Sequence, residues 1–204
     1  MPIAADVPTR DRILYASAEL FRRQGYAGTG LKQIATEAHA PFGSLYHFFP
    51  GGKEQLGDEV LRVGGRFFLA LYEAIAAQAP DLTTAVRDFF AGAGQTLEAT
   101  GYADACPIAT VAGEIASTHE VLRSATADVF ESWLAALADD AVDAGIAPDR
   151  ARPLALSVLA LLEGAFLLSR STRSLEPMQA CSKAAVALVD AALPRQPTTP
   201  EASP

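Results

Sequence analysis

Apolar residues recur at helical spacing along most of this 204-residue sequence, and glycine or proline closes most of the periodic segments. In the first segment, small and apolar residues repeat at i, i+4, i+7 and i+8 on one helix face: Ile13, Ser17, Leu20 and Phe21. Thr9 stands where a helix cap is expected, and Gly25 where the helix should end. No segment shows the apolar–polar alternation typical of a strand. The pattern therefore predicts an all-α fold.

Two further short helical segments follow closely behind the first one. The second has an apolar face made by Leu31, Ile34, Ala35 and Ala38. A three-residue turn, residues 39–41, separates it from a third segment around residues 44–47. Pro41 suits the first turn of a helix, where its missing N–H costs nothing. Two short helices joined by so tight a turn indicate a helix-turn-helix, although helical hairpins also occur for purely structural reasons.

The rest of the periodic sequence predicts six more helices, which form a larger unit. They are expected over residues 53–79, 82–99, 106–116, 119–144, 151–171 and 177–193. The first of them is expected to turn one apolar row inward, made by Leu56, Val60, Val63, Phe67 and Leu71. We therefore divide the chain into a helix-turn-helix head (residues 8–52), a body (residues 53–193) and a tail. The tail, residues 194–204, has four prolines and no apolar period, which is typical of disorder.

Charge and composition restrict the possible functions. The net charge is −8, yet residues 1–62 hold seven basic and seven acidic residues, so the acidic excess lies in the rest of the chain. A neutral head is compatible with a few placed contacts to DNA and is not evidence for them. Cys106 and Cys181 lack metal-ligand spacing and a nearby histidine, which predicts no metal site, no disulfide and a reducing cytoplasm. The sequence shows no signal peptide, and its most apolar stretch, residues 154–168, is expected to be too short to span a bilayer.

The head resembles the N-terminal domain of TetR-family transcriptional regulators. The matching residues of the first helix and turn are Ile13, Ala16, Ala18, Leu20, Phe21, Gly25, Tyr26 and Thr29. Those further along the head and into the next helix are Ile34, Ala35, Ala38, Gly43, Leu45, Tyr46, Phe49, Lys53 and Leu56. Short motifs within residues 40–53, and the motif Cys106-Pro107-Ile108-Ala109, are similar to the LmrA/YxaF-like branch. Members of that branch typically repress genes for drug efflux or small oxidoreductases.

The resemblance implies a three-helix DNA-binding head whose third helix enters the major groove. It implies the following DNA contacts: Thr29, Lys32, Pro41, Phe42, Gly43, Ser44, Tyr46, His47 and Lys53. Gly43 would let the helix backbone approach the base edges, while Tyr46 and His47 would reach phosphate oxygens. Lys53 would add a cation to the same phosphate contact. The alternatives are a buried packing ring for Tyr46 and a solvated turn histidine for His47.

Four positions of the head depart from the family pattern. Phe42 and Phe48 stand where basic or histidine side chains are common, and Gly30 where a hydroxyl is common. His39 occupies a turn position usually held by glycine, where histidine tolerates a left-handed backbone. These changes remove positive charge and phosphate donors, although Phe42 could contact a thymine methyl group. They leave open an alternative, a helical small-molecule-binding protein whose DNA recognition is weak or lost.

Aromatic residues at helical spacing run through the body, and the resemblance implies an effector cavity between its helices. The expected ligand contacts are Phe67, Tyr72, Phe89, Thr110, Glu114, Phe130, Trp133 and Glu163. For each aromatic ring the alternative is ordinary core packing. Pockets are mostly apolar with a few placed polar groups, so the polar residues would set specificity. Glu163 interrupts an apolar run, and its carboxylate needs a partner or water unless it lies exposed at the helix edge.

The last two predicted helices have apolar faces rich in alanine, which permits close packing between helices. These faces are made by Leu154, Val158, Leu161, Leu162, Ala165 and Leu168, and by Ala184, Ala185, Leu188, Val189 and Ala192. The resemblance implies a homodimer held by residues 151–193 through a four-helix interface. Its two heads would read a pseudo-palindromic operator with half-sites about 34–36 Å apart, or a multiple of that distance.

No arrangement in the sequence supports an enzyme. Residues 51–53 lack the upstream glycine of a phosphate-binding loop, and the three scattered histidines form neither a metal cluster nor a triad with a cysteine. The expected function is a cytoplasmic, ligand-responsive repressor that a small apolar or aromatic molecule releases from double-stranded operator DNA. No cofactor and no membrane partner are expected.

Overall fold

Helices are the only regular secondary structure in the described part of the chain, which confirms the predicted all-α fold. The computed structural model describes residues 7–104, 106–115 and 119–194. These residues form nine helices: α1 (Thr9–Gln24), α2 (Leu31–Glu37), α3 (Phe42–Phe48), α4 (Gly52–Ala76), α5 (Leu82–Ala99), α6 (Pro107–Ile115), α7 (Glu120–Asp143), α8 (Pro148–Thr172) and α9 (Glu176–Ala192). No strand occurs among them. Apart from Pro194, the predicted disordered tail lies outside the described residues.

The head consists of α1, α2 and α3 around one apolar core. Its largest fully buried side chains are Ile13, Phe21, Ile34, Leu45 and Phe49. Gly25 ends α1 as predicted, with a left-handed φ of 79°. The predicted cap at Thr9 was wrong, because α1 begins at Thr9 itself, directly after Pro8, and has no side-chain cap. The Thr9 hydroxyl instead accepts a hydrogen bond of 3.3 Å from the Arg12 guanidinium.

The core of the head continues into the body without a break. α1 packs against both α4 and α6. The same buried cluster contains body residues from three helices, namely Leu56, Leu61, Val111, Ile115 and Leu122. A displacement of α4 or α6 therefore changes the packing of the head.

α4 buries a different row of side chains from the one predicted. The first two residues of the predicted row are buried, but Val63, Phe67 and Leu71 are 40%, 64% and 43% exposed. The row that packs on α7 includes Gly65, where an added Cβ would lie 2.6 Å from the methyl groups of Val129. α7 thus approaches α4 closely at Gly65, and Val63, Phe67 and Leu71 remain exposed beside this contact.

α8 and α9 form a second core with α5, and most of the predicted dimer face lies inside it. Seven of its eleven residues are buried within the subunit: Leu154, Val158, Leu162, Ala165, Ala185, Val189 and Ala192. The prediction that these seven contact a partner was wrong, because their own chain covers them. Four leucines of the same two helices are 42–67% exposed, and we name them the leucine face: Leu156, Leu167, Leu168 and Leu188.

One described helix, α8, is long and apolar enough by length and composition to cross a membrane. The sequence-based expectation was different because it considered only residues 154–168, whereas α8 has 25 residues. A core helix of a soluble protein passes the same test. α8 packs against α7 and α9 and supplies side chains to the second core.

Candidate DNA-binding surface and effector cavity

An arginine from α1 holds the turn between α2 and α3. His39 adopts the expected left-handed backbone conformation, with φ 48°. The Arg12 guanidinium donates to the carbonyls of Ala38 and His39 at 3.0 and 3.3 Å, and to the Val7 carbonyl at 2.8 Å. Carbonyls at a helix end lack helical partners, so these bonds satisfy them and fix the turn. The sequence pattern gives no sign of this role, because Ala38 and His39 lie 26 and 27 positions from Arg12.

α3 presents aromatic and small residues to solvent. Phe42 and Tyr46 are 42% and 50% exposed, and their rings meet edge to face with centroids 5.8 Å apart. Tyr46 is therefore not a buried packing ring. The other predicted contacts of this segment are accessible as well, since all but the half-buried Ser44 are exposed. We name this set the α3 surface: Pro41, Phe42, Gly43, Ser44, Tyr46 and His47.

Gly43 leaves open space on the α3 surface. A Cβ built on it would meet no atom within 4 Å, although the residue lies inside a helix. The packing of the chain itself therefore does not require glycine at this position. Glycine costs roughly 0.5–1 kcal/mol relative to alanine in a helix, and its missing side chain leaves the backbone of α3 open to another molecule.

Thr29 and Lys53 do not extend the α3 surface, contrary to the prediction. Thr29 is 2% exposed, and its hydroxyl donates to the Gly25 carbonyl at 2.7 Å. The Lys53 ammonium lies 4.2 Å from the centre of the Tyr26 ring, which is a cation–π contact. Burial lowers the pKa of Lys53, while the Glu114 carboxylate acts in the opposite direction. Both side chains stabilise the chain itself, because their partners are its own residues.

Few positive charges of the head are free to meet a phosphate. Its arginines are engaged within the chain: Arg10 with Glu59, Arg12 with backbone carbonyls, Arg22 with Asp104 and Arg23 with Glu19. Lys32 is exposed, and its ammonium has no partner among the described residues. Sequence-independent DNA affinity grows with the number of phosphates neutralised, so this head gains little from charge alone.

A cavity of about 660 Å³ lies between α4, α5, α7 and α8 of the body, and α1 of the head adds Glu19 and Arg22 to its wall. Small-molecule sites span roughly 300–1,000 Å³, so the cavity has the size of a ligand site. Six aromatic rings line it: Phe67, Phe68, Tyr72, Phe89, Trp133 and Phe166. Five of the eight predicted ligand contacts are among its lining residues: Phe67, Tyr72, Phe89, Trp133 and Glu163.

Three predicted ligand contacts lie elsewhere in the structure. The Thr110 hydroxyl donates to the Cys106 carbonyl at 2.9 Å. Phe130 packs against Trp133, with ring centroids 5.7 Å apart, and does not line the cavity. Glu114 reaches towards the head. Helical periodicity marks such residues as lying near a core, but it does not tell which of two neighbouring cores they meet.

Glu114 belongs to the junction between the head and the body. Its Oε2 accepts a hydrogen bond of 2.9 Å from the backbone amide of Ala27. Its carboxylate also fills the space beside Gly25, where an added Cβ would overlap Oε1. Close by, the Tyr26 ring meets the His119 ring edge to face at 5.4 Å. Head residues 25–27 are thus fitted between the end of α6 and the start of α7.

Two polar atoms of the cavity wall are already satisfied within the chain. The Trp133 indole N–H donates to the Gly65 carbonyl at 2.9 Å. The Tyr72 hydroxyl donates to Asp140 at 2.6 Å, and burial together with this carboxylate raises the pKa of Tyr72. Both rings therefore offer a ligand only their apolar surfaces.

Glu163 differs, because one of its oxygens has no partner. Oε1 is buried and makes no hydrogen bond in the described structure. Burial raises the pKa of Glu163 to about 7, while the neighbouring Cys106 thiol acts in the opposite direction. Burial also raises the pKa of the Cys106 thiol, with the neighbouring Glu163 adding to the shift, so the thiol stays protonated at neutral pH. The sequence singled out Glu163 because it interrupts an apolar run, but it gave no signal for Cys106 as its partner.

A helix-turn-helix head on an all-helical body with an apolar cavity defines a class of helical transcriptional regulators. Residues 13–60 match the bacterial regulatory proteins of the tetR family, and residues 83–184 match the C-terminal domain of LmrA/YxaF-like transcriptional regulators. This chain belongs to the TetR family, with a body of the LmrA/YxaF-like type. It is a DNA-binding regulator and not an enzyme, as predicted.

Individual relatives agree with this assignment. The chain is 34% identical over 170 residues to the HTH-type transcriptional regulator YxaF of Bacillus subtilis, covering 83% of this chain and 89% of YxaF. It is 31% identical over 170 residues to the regulator LmrA of the same organism, covering 83% and 90%. The fold matches the crystal structure of regulatory protein TetR from Rhodobacter sphaeroides with a TM-score of 0.80 and 21% identity, covering 88% of this chain and 98% of that one.

Proposed function

We propose that this chain is a homodimeric cytoplasmic repressor that a small apolar or aromatic molecule releases from its operator. The observation that carries the proposal is the aromatic cavity of about 660 Å³, which reaches the start of α6, while the end of α6 is hydrogen-bonded to the head. Repression and ligand binding are also typical of the family.

α6 is the proposed connection between the two sites. Cys106, directly before its nine residues, lines the cavity, and Glu114, near its end, bonds Ala27 of the head. Val111 and Ile115 of the same helix are buried in the core that the head and body share. A ligand can weaken DNA binding only if it binds better to a conformer whose heads are wrongly placed. Coupling of about 1–3 kcal/mol is the usual scale for such an effect.

For the operator contact we propose Lys32 together with the α3 surface. Lys32 would meet a phosphate, because its ammonium is exposed and has no partner among the described residues. Gly43 would bring the backbone of α3 close to the base edges, and Phe42 could touch a thymine methyl group. Tyr46 and His47, both exposed, would reach the phosphate backbone.

For the leucine face we propose a second copy of this chain as the partner. Exposed small residues lie among its four leucines on the same two helices: Ala160, Ala184 and Ala191. Small side chains let helices of two subunits approach closely, and large exposed apolar patches commonly mark interaction sites. A dimer formed there would carry two heads and read a pseudo-palindromic site with half-sites about 34–36 Å apart, or a multiple of that distance.

Fluorescence anisotropy with the DNA upstream of the protein's own gene tests the proposal. We expect two subunits per site and a preference for this DNA over unrelated DNA of equal length, at an ionic strength that suppresses charge-driven binding. Equal affinity for both DNAs would contradict operator recognition.

A second function is favoured by one observation, the scarcity of free cations on the head. With Lys32 as the single unpaired lysine or arginine side chain among the described head residues, the chain could be a helical small-molecule-binding protein whose DNA recognition is weak or lost. Ligand binding without any preference for the upstream DNA would support this alternative over the repressor.

A further inference from the structure

We infer that the cavity binds an aromatic molecule carrying a protonated amine, and that Glu163 holds the amine. The inference rests on the proposed function, because it names the ligand class for the same cavity. Three observations carry it: an unpaired carboxylate oxygen, the charges along the cavity wall and the arrangement of the aromatic rings.

The first observation concerns hydrogen bonding. Oε1 of Glu163 is buried without a partner, whereas the polar atoms of Trp133 and Tyr72 on the same wall are satisfied. The neighbouring Cys106 thiol is only a weak donor, and it leaves this oxygen unsatisfied. Leaving a buried acceptor unpaired is unfavourable, so a ligand that brings an N–H to Oε1 gains affinity.

The second observation concerns charge. The ionisable residues that line the cavity are Glu19, Arg22, Tyr72, Asp104, Cys106 and Glu163. Arg22 is paired with both Glu19 and Asp104, so it offers no free cation to an anionic ligand. Tyr72 and Cys106 stay neutral, because the pKa of each is raised. With Glu163 ionised, three acidic groups face one basic group, and this balance favours a cation.

The other helices around Glu163 leave that balance unchanged. α5 contributes no charged group to the wall, and its polar lining residues are Gln95 and Thr96. α7 contributes Trp133 and two leucines. α9 packs against α8 but contributes no residue to the wall. Cys106 is therefore the one ionisable group described in direct contact with Glu163.

The third observation concerns the aromatic rings. Phe166 follows Glu163 by three residues on α8, and both line the cavity, so a ring lies next to the carboxylate on one side of the helix. An ammonium group is attracted to aromatic faces as well as to a carboxylate. A flat aromatic body with an adjoining amine satisfies the apolar wall and the unpaired oxygen together.

Protons compete with such an amine for Glu163. Burial raises the pKa of Glu163 to about 7, and the ammonium binds its ionised form. The affinity for the amine is therefore highest above that pH and falls as the pH drops through it. Well below that pH the fall approaches about tenfold per pH unit. A neutral ligand of the same shape shows no such fall.

Three probes of one shape test the inference: 9-(aminomethyl)anthracene, 9-anthracenemethanol and anthracene-9-carboxylate. Trp133 is the single tryptophan and lines the cavity, so quenching of its fluorescence reports binding. At pH about 8 we expect the amine to bind about tenfold more tightly than the alcohol, and the carboxylate most weakly. The advantage of the amine should shrink as the pH falls below about 7.

Glu163→Gln provides the matched variant, because it keeps the shape of the side chain and removes its charge. It should abolish the advantage of the amine and leave the affinity for the alcohol within about twofold, which also shows that the cavity is intact. An alcohol or carboxylate that binds as tightly as the amine in the wild type, or an advantage that survives in Glu163→Gln, overturns the inference. The pH profile of the wild-type protein decides the point without any variant.

Different results of the same experiment would count against the proposed function and against the ligand class. If no probe quenches Trp133, the cavity is not an aromatic-ligand site, and both the inference and the proposed release mechanism fall. If the alcohol binds best and releases operator DNA, the ligand class is wrong and the regulator stands.

Discussion

Glu114 of α6 accepts a hydrogen bond of 2.9 Å from the backbone amide of Ala27, a residue 87 positions away in the head. The same carboxylate fills the space that a side chain at position 25 would need. One helix of nine residues therefore joins Cys106, in the wall of the cavity, to the loop that leads into the helix-turn-helix. We propose that a ligand in the cavity acts on the head through this contact.

Glu114→Ala should uncouple the two sites, because it removes the acceptor for the Ala27 amide. We expect the operator Kd to rise less when the tightest-binding anthracene probe is added, while the probe binds the free protein as before. The coupling that stands to be lost is about 1–3 kcal/mol. Glu114→Gln, which keeps an acceptor oxygen, should retain most of it. Anisotropy titrations with and without the probe measure the ratio of the two operator Kd values. A ratio as large in Glu114→Ala as in the wild type would show that this contact does not couple the two sites.

Gly43→Ala should separate folding from DNA binding. The new methyl group meets no atom of the chain, so the variant should be more stable to urea by about 0.5–1 kcal/mol. Operator binding should weaken by about 1–3 kcal/mol, since the backbone of α3 is kept from the base edges. Gly113→Ala, at an exposed helical position with equally open surroundings, should be stabilised alike with unchanged operator affinity. Equal operator affinity in both variants would show that α3 does not enter the groove.

Lys32→Ala and Lys53→Ala should differ in how salt affects their DNA binding. Lys32 is exposed and unpartnered within the described chain, so its loss should lower the slope of log Kd against log salt by about one. Lys53 lies over the Tyr26 ring, so its loss should leave the slope unchanged and lower the stability instead, by about 0.5–1 kcal/mol. Salt titrations by anisotropy and urea unfolding measure the two effects. A slope that changes with Lys53 rather than Lys32 would reverse the assignment.

Leu188→Glu should produce monomers if the leucine face holds the dimer. An unpaired charge in a buried interface costs about 3–5 kcal/mol. Val63→Glu is the matched control, since Val63 is 40% exposed and Leu188 is 42% exposed. Light scattering at equal protein concentration should show monomers for the first variant and dimers for the second. Dimers of both would place the interface on another surface.

The sequence was most informative where a structure depends on local chemistry. Gly25 at the end of α1 and His39 in a left-handed turn were both predictable, because backbone preferences act over a few residues. The exposure of Tyr46 agrees with the role that the resemblance implied for it. Glu163 stood out because a carboxylate in an apolar run is rare and needs a partner.

The sequence was least informative where the partner of a residue is distant in the chain. Thr29 and Lys53 were expected on the DNA side, but Thr29 is buried against Gly25 and the half-buried Lys53 lies over the Tyr26 ring. Glu114 was expected in the cavity, and its actual contact lies 87 positions away. Similarly, the inward face of α4 depends on how closely α7 approaches Gly65, and no periodicity within α4 reveals this.

The most direct test of the account is reciprocity between the effector and the operator. If the ligand in the cavity weakens operator binding by some factor, saturating operator must weaken the ligand by the same factor, roughly 5- to 150-fold. Quenching of Trp133 by the tightest-binding anthracene probe gives the ligand Kd in both states, because Trp133 lines the cavity and is the single tryptophan. We expect the probe Kd to be higher with operator bound, by the same factor by which the probe raises the operator Kd in anisotropy titrations. An equal probe Kd with and without operator would contradict it.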